Sequence, residues 1–337
     1  VLVKLIEEPQ RILIVRFSSI GDVVLITPLL RVLRQRFPDA EIDFLTKEAY
    51  APLVAYNPHL SRVVTMSEAK DGLKAALNEL GREPYDWLVD LHSSLRSRRV
   101  KLAVKARNRF QVHKRNFQKW MLVRVKRNRL PEEEHVVDRY FKALEKTGIE
   151  NDEIGAEIFF PEDESWEKLK IPARWAEGYN ALAIGAAHET KKLPYGYLRE
   201  LCQIMPRPVV LLGGGEDLDT GHRLSLESGP HVYNACGRFG LLESAQAIWG
   251  ATQVFTHDTG MMHIAAALQK PIVSFWGNTV PAFGFFPYYG RKNQNRAQIM
   301  EVEGLSCRPC SKLGHAKCPK KHFRCMRDQD FGLIEWI

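Results

Sequence analysis

The 337-residue sequence has no uninterrupted apolar run of the roughly 18 residues that a membrane-spanning helix needs. Even residues 23–33 are broken by Thr27, Pro28 and Arg31. An apolar leader is also missing: Glu7, Glu8 and Pro9 stand where its core would be, so a cytoplasmic protein is expected. There is no G-x-G-x-x-G turn, which argues against a dinucleotide-binding dehydrogenase. Acidic residues are absent between Asp90 and Glu132. Cysteine is sparse before position 307, where only Cys202 and Cys236 occur, and both read as ordinary buried thiols.

Hydrophobic residues make up 45% of the chain and charged residues 26%, the balance of a folded globular protein. The length suits two domains, each large enough for its own core. The net charge of +8 is unevenly placed, because residues 96–129 carry fourteen Lys and Arg and the remainder is net acidic. Phe110, Phe117 and Trp120 are interleaved with these bases. Such a stretch suits a nucleic acid, an anionic lipid surface or a phosphorylated glycan; the plainer alternative is a solvated basic helical face without a ligand.

Short β-branched runs alternate with helical patterns: strands at 12–17, 42–45 and 87–91, with a helix over 22–37. After a polar stretch at 150–175 the pattern restarts, with strands at 181–185, 209–213, 253–256 and 272–275. This βαβ order predicts two α/β, doubly wound, Rossmann-like domains, divided at 1–160 and 161–337. The last helix is expected to pack back on the first domain. Ligands in such folds lie beyond the carboxyl ends of the strands, which directs attention to the loops found there.

Four loops carry chemistry. The first is Ser18-Ser19-Ile20-Gly21-Asp22, small residues that admit a ligand close to the backbone; Asp22 can equally be a helix N-cap. The second runs from Ala186 through Lys191 and Lys192 to Pro194, and a lysine there can neutralise phosphate. The third, Gly213-Gly214-Gly215-Glu216-Asp217, couples a flexible turn to carboxylates able to hold ribose hydroxyls. Asp217-Leu218-Asp219 also spells D-x-D, a motif of metal-dependent sugar transferases, but three residues match too easily to carry that reading. The fourth is His257-Asp258-Thr259-Gly260-Met261-Met262-His263, where a helix beginning at Thr259-Gly260 offers free N–H groups and a positive dipole end to an anion. His263 is either a core histidine or, one turn from Thr259, part of that site.

These motifs, SSIGDVVLITPLL, KKLP and HDTGMMHIAAAL followed by SFWGNTVP, resemble in order and interval those of glycosyltransferase family 9, the ADP-heptose:lipopolysaccharide heptosyltransferases and their relatives. The resemblance spans nearly the whole chain. It implies a GT-B fold with two Rossmann-like domains facing a cleft, the acceptor on the first and a nucleotide-sugar donor on the second. It also implies an inverting transfer that requires no metal or other cofactor. By position, Asp22 matches the catalytic base, Lys191 the phosphate-binding lysine and Asp217 or Glu216 the ribose carboxylate. Asp258, Thr259, Gly260 and His263 match the donor motif D-T-G-x-x-H, while Ser18, Ser19 and Gly21 line the acceptor loop. Two departures stand out: Ala186 and Ala187 replace hydroxyl residues, and Leu193 replaces an aromatic residue before the proline.

The activity this implies is transfer of heptose from ADP-heptose to a lipopolysaccharide-type acceptor, at the inner face of a membrane that the basic stretch can touch. Rival expectations are another nucleotide-sugar transferase or epimerase on the same fold, a catalytically inert nucleotide-sugar scaffold, and a nucleic-acid-binding protein built on 96–129. Separately, Cys307, Cys310, Cys318 and Cys325 cluster with His315 and His322. This donor set suits a structural zinc, yet its irregular spacing leaves free thiols or a disulfide open.

Overall fold

The computed structural model describes residues 8–163, 168–172, 175, 177–291 and 296–337. The chain divides into two compact units: the first holds the described residues up to Lys114 with Val136–Phe159, the second Arg115–His135 with Phe160–Ile337.

In the first unit, β1 (Arg11–Val15) leads into α1 (Ile20–Val24) and α2 (Thr27–Arg36). Next come β2 (Glu41–Lys47), β3 (Arg62–Met66), α3 (Gly72–Leu80), β4 (Tyr85–Asp90), α4 (Leu95–Ala103) and β5 (Ala106–Gln111). All pairings are parallel, in the order β3-β2-β1-β4-β5. The central strand RILIV is a nearly continuous apolar run because both of its faces are covered, whereas the edge strand ARNRFQ alternates half-buried with exposed. The helix expected over 22–37 is split in two. Pro28 lies in the first turn of α2, where its missing N–H costs nothing but where a continuous helix would need that bond.

The second unit opens with α5 (Asn116–Val125), while α6 (Val136–Lys142) returns to the first. There follow β6 (Asn180–Ala183), α7 (Tyr195–Ile204), β7 (Val209–Leu212), α8 (Leu218–Ser228), β8 (Val232–Asn234) and α9 (Leu241–Gly250). Then come β9 (Gln253–His257), α10 (Gly260–Ala267), β10 (Ile272–Trp276), β11 (Ala297–Glu301) and α11 (Arg324–Arg327). This sheet is also wholly parallel, ordered β11-β10-β9-β6-β7-β8.

Two expectations require correction. Residues 115–135 do not belong with the first unit: Leu122 and Leu130 pack on Phe283, Lys126 Nζ donates to the carbonyls of Cys307 and Pro309, and His135 stacks on Tyr288 at 4.7 Å. The last described helix, α11, lies in the second unit. Cys325, Met326, Phe331 and Ile334 are buried in the second unit's own core, with Leu182, Phe255 and Phe275. Finally, the basic stretch is not one helical face, since the edge strand β5 lies between α4 and α5. The segment after α6 is tied to the first unit by Arg31, whose guanidinium grips Asp152 at 2.7 and 2.9 Å and Glu157 at 2.6 Å.

Candidate active site

Helix α1, which follows β1, holds Asp22, 9% exposed. Asp22 is not the N-cap. Ser19 takes that position, and Asp22, three residues on, reaches back so that its Oδ2 accepts from the Ser19 N–H at 3.0 Å and hydroxyl at 2.9 Å. Oδ1 accepts from Arg16 Nη2 at 2.5 Å and from the Tyr140 hydroxyl at 3.3 Å. Arg16 is itself pinned, donating to the carbonyls of Ser18 and Leu91. Burial alone would raise the Asp22 pKa; the Arg16 charge and the Ser19 donors outweigh it and hold the carboxyl down at about 2. Close by, burial first and then the Arg16 charge push His92 down to about 4, so that at neutral pH it is an uncharged imidazole. Gly21 is buried in the first turn of α1, while Ser18 is half-buried in the loop. Arg16 and Tyr140 escape the sequence reading: one lies on the strand side of the motif and the other is 118 residues from Asp22.

In the second unit the loops at the carboxyl ends of β6, β7, β9 and β10 meet. Lys191 Nζ donates to Asp258 Oδ2 at 2.6 Å and to the Asp258 carbonyl at 2.9 Å. The Thr279 hydroxyl donates to the same Oδ2 at 2.6 Å. Asp258 is thus a buried acceptor that fixes a lysine at the mouth of α10, whose N-cap is Thr259 and whose first residue is Gly260. An ammonium beside a helix N-terminus is a strong anion site, since full and partial positive charges converge there. The Thr259 hydroxyl lies 3.2 Å from that of Thr256. His263 is 4% exposed inside α10, its ring edge-on to Phe285. The neighbouring His257 accepts the Leu193 N–H at 3.0 Å, and burial lowers its pKa to about 4, so this neutral histidine anchors the lysine loop from below.

The structure separates the two carboxylates that the sequence offered as alternatives. Asp217 is buried: it accepts from Lys192 Nζ at 3.2 Å and from the Gly214 N–H at 3.1 Å. Room for it depends on glycine, because a Cβ at Gly185 would stand 2.3 Å from its Oδ2. Glu216, by contrast, is exposed at the same turn. Lys192, named beside Lys191 but given no role of its own in the sequence reading, and Thr279, within SFWGNTVP, are further contributors. Asn278 is a further one: its side-chain amide is 1% exposed and finds no partner among the described residues.

The cysteine-rich segment braces this site. The Thr190 N–H donates to the His315 carbonyl at 3.1 Å, and the His315 N–H donates to the Thr190 hydroxyl at 2.8 Å. Arg308 donates to the carbonyls of Gly277 at 2.7 Å and Thr279 at 2.9 Å. All six cysteines are free thiols, and Cys307 Sγ lies 3.8 Å from His322 Nε2. Among the described residues no group of three or more Cys, His, Asp or Glu side chains is arranged to hold a metal ion.

Three comparisons bear on this geometry. A family model described as glycosyltransferase family 9 (heptosyltransferase) matches residues 74–315. Lipooligosaccharide heptosyltransferase 2 of Haemophilus influenzae is 25% identical over 299 residues, covering 81% of this chain and 85% of that protein. Among solved structures, a family 9 glycosyl transferase from Veillonella parvula superposes with a TM-score of 0.69 at 23% identity, covering 86% of each chain. The E. coli heptosyltransferase WaaC with ADP-2-deoxy-2-fluoro heptose gives 0.65 at 21% identity, covering 87% of this chain and 94% of that one.

Proposed function

The chain belongs to glycosyltransferase family 9, the heptosyltransferases, as an α/β enzyme of the GT-B fold, and on that premise we propose that it transfers heptose from ADP-heptose to a lipopolysaccharide-type acceptor. The observation that carries the donor half of this reading is Lys191 held by Asp258 at the N-terminus of α10. Two of the ammonium hydrogens are spent on Asp258, and the third serves a phosphate oxygen. The exposed Glu216 takes the ribose hydroxyls, while Asp217 and Lys192 shape the turn that presents it. His263 supports the first turn of α10 from within.

The acceptor hydroxyl attacks the anomeric carbon from the face opposite the nucleotide. Its new C–O bond forms as the bond to the β-phosphate oxygen breaks, the electron pair leaving with ADP and the hydroxyl proton passing to Asp22. A carboxylate held at about 2 is a weak base at rest, so it receives the proton only as the forming bond makes that oxygen positive. Ser18 and Ser19 offer hydroxyls to orient the acceptor beside it. Charge developing on the β-phosphate is met by Lys191 and the N–H groups at Thr259 and Gly260, the role a divalent cation plays in other transferases. Transfer onto such an acceptor takes place at the inner face of the membrane that carries it.

The test is a donor panel of ADP-heptose, ADP, and UDP- and GDP-sugars against the wild type and Asp22→Ala. Binding is scored by thermal shift and turnover by nucleotide release with deacylated lipopolysaccharide. ADP-selective stabilisation of both proteins, with release lost only in the variant, is expected. A panel in which no nucleotide sugar raises the melting temperature would remove the donor-site assignment.

A further inference from the structure

The mechanism above makes no use of α4, whose outward face is unlike that of a solvated helix. Leu95 is 84% exposed and Leu102 80% exposed, seven residues apart and so nearly in line along one face. The opposite face, with Ser97 and Val100, is fully buried against the sheet. The helical period places Arg98 and Arg99 on either side of the leucine line, and both are exposed. Arg96, Lys105 and Arg107 are exposed nearby, and no acidic residue occurs anywhere between Asp90 and Glu132. Beside the helix a depression of about 970 Å³ is lined by Leu95, Leu102 and Phe110 together with Arg98, Lys101 and Arg109. Two large aliphatic side chains at the apex of a helix cost free energy in water, and arginines flanking them would repel a second copy of the same face. An apolar ridge rimmed by cations matches one kind of partner: a surface with negative headgroups above a hydrocarbon layer.

We propose that the α4 face docks the first unit onto an anionic phospholipid bilayer, Leu95 and Leu102 entering the headgroup boundary while Arg98 and Arg99 pair with lipid phosphates. The contact is independent of donor and acceptor chemistry. The exposed large apolar side chains of the face are the aliphatic Leu95 and Leu102, which offer no ring for base stacking, while Phe110 is half-buried in the depression.

Flotation of the full chain with vesicles tests it, using phosphatidylcholine alone or with about one third phosphatidylglycerol at about 0.1 M salt, and no glycolipid. The wild type is expected to float with the anionic vesicles and not with the neutral ones. L95D/L102D is expected to lose binding by on the order of tenfold or more while keeping the wild-type melting temperature, since both positions already face solvent. R98E/R99E should lose binding similarly, and R98K/R99K should retain it, because a bilayer asks for charge rather than for a fixed guanidinium geometry. Absence of wild-type flotation, or flotation of L95D/L102D equal to wild type, overturns the proposal. So does loss of binding in R98K/R99K, which would indicate a shaped phosphate pocket. Tighter binding to an oligonucleotide than to anionic vesicles, unchanged in L95D/L102D, would assign the face to nucleic acid instead.

Discussion

Arg16→Met isolates what the buried ion pair does for Asp22. In the wild type the carboxyl sits at about 2 against an ordinary 3.8, which is worth roughly 2–3 kcal/mol of stability at neutral pH. Because the folded pKa is depressed, that contribution is complete above 3.8 and is lost as pH falls through about 2. Methionine keeps most of the volume of the side chain but removes the charge, together with the donors to Ser18 and Leu91. Asp22 then stays buried with only Ser19 and Tyr140 as partners, burial is no longer outweighed, and its pKa moves above 3.8. The sign of the pH dependence therefore reverses: the variant gains stability on acidification from about pH 7.5 to about pH 5, where the wild-type pair contributes a constant amount. Denaturant unfolding should show Arg16→Met less stable by about 3–5 kcal/mol at about pH 7.5, the cost of stranding one member of a buried pair. Adding Asp22→Asn removes the stranded charge and should restore part of that loss. A single variant within about 1 kcal/mol of wild type, or a double variant no more stable than the single one, would refute the reasoning.

Asp22→Asn alone should lower turnover by about 10²- to 10⁴-fold while leaving ADP-induced thermal stabilisation unchanged, as read by nucleotide release and thermal shift on the same samples. Lys191→Ala should weaken ADP binding in calorimetry and reduce turnover by on the order of 10²-fold, because the leaving phosphate loses its fixed cation. Gly185→Ala places a methyl 2.3 Å from Asp217 Oδ2 and should destabilise by roughly 1–3 kcal/mol in denaturant unfolding; an unaltered midpoint would mean that Asp217 is not held where it lies. Arg308→Ala frees the Gly277–Thr279 turn and should raise the donor KM about tenfold with a smaller effect on kcat, measured by steady-state kinetics.

How far the sequence reaches can be followed element by element. The buried parallel strands were legible because β1, β7 and β10 are predominantly apolar runs, as strands covered on both faces tend to be. The loop positions of Asp22, Lys191 and Asp258 followed, since strand ends fix where ligand loops stand. Strands β3, β5, β8 and β11 were missed: they lie toward the sheet edges, are only partly covered, and read as polar or short.

Local periodicity and ordered motifs are enough to specify the fold class, the family and the list of chemically competent side chains. Tertiary structure decided how those side chains are used. Arg16 and Tyr140 close on Asp22 from β1's end and from α6, so its charge state is set by groups that no local motif contains. Asp217 turns inward and Glu216 outward because Lys192 and the Gly214 N–H pull one carboxylate down, a choice invisible in adjacent acidic residues. Residues 115–135 join the second unit because Phe283 and the carbonyls of Cys307 and Pro309 satisfy them there. Each of these outcomes depends on partners far apart in the chain, and burial together with hydrogen-bond pairing is settled only when the whole chain has folded.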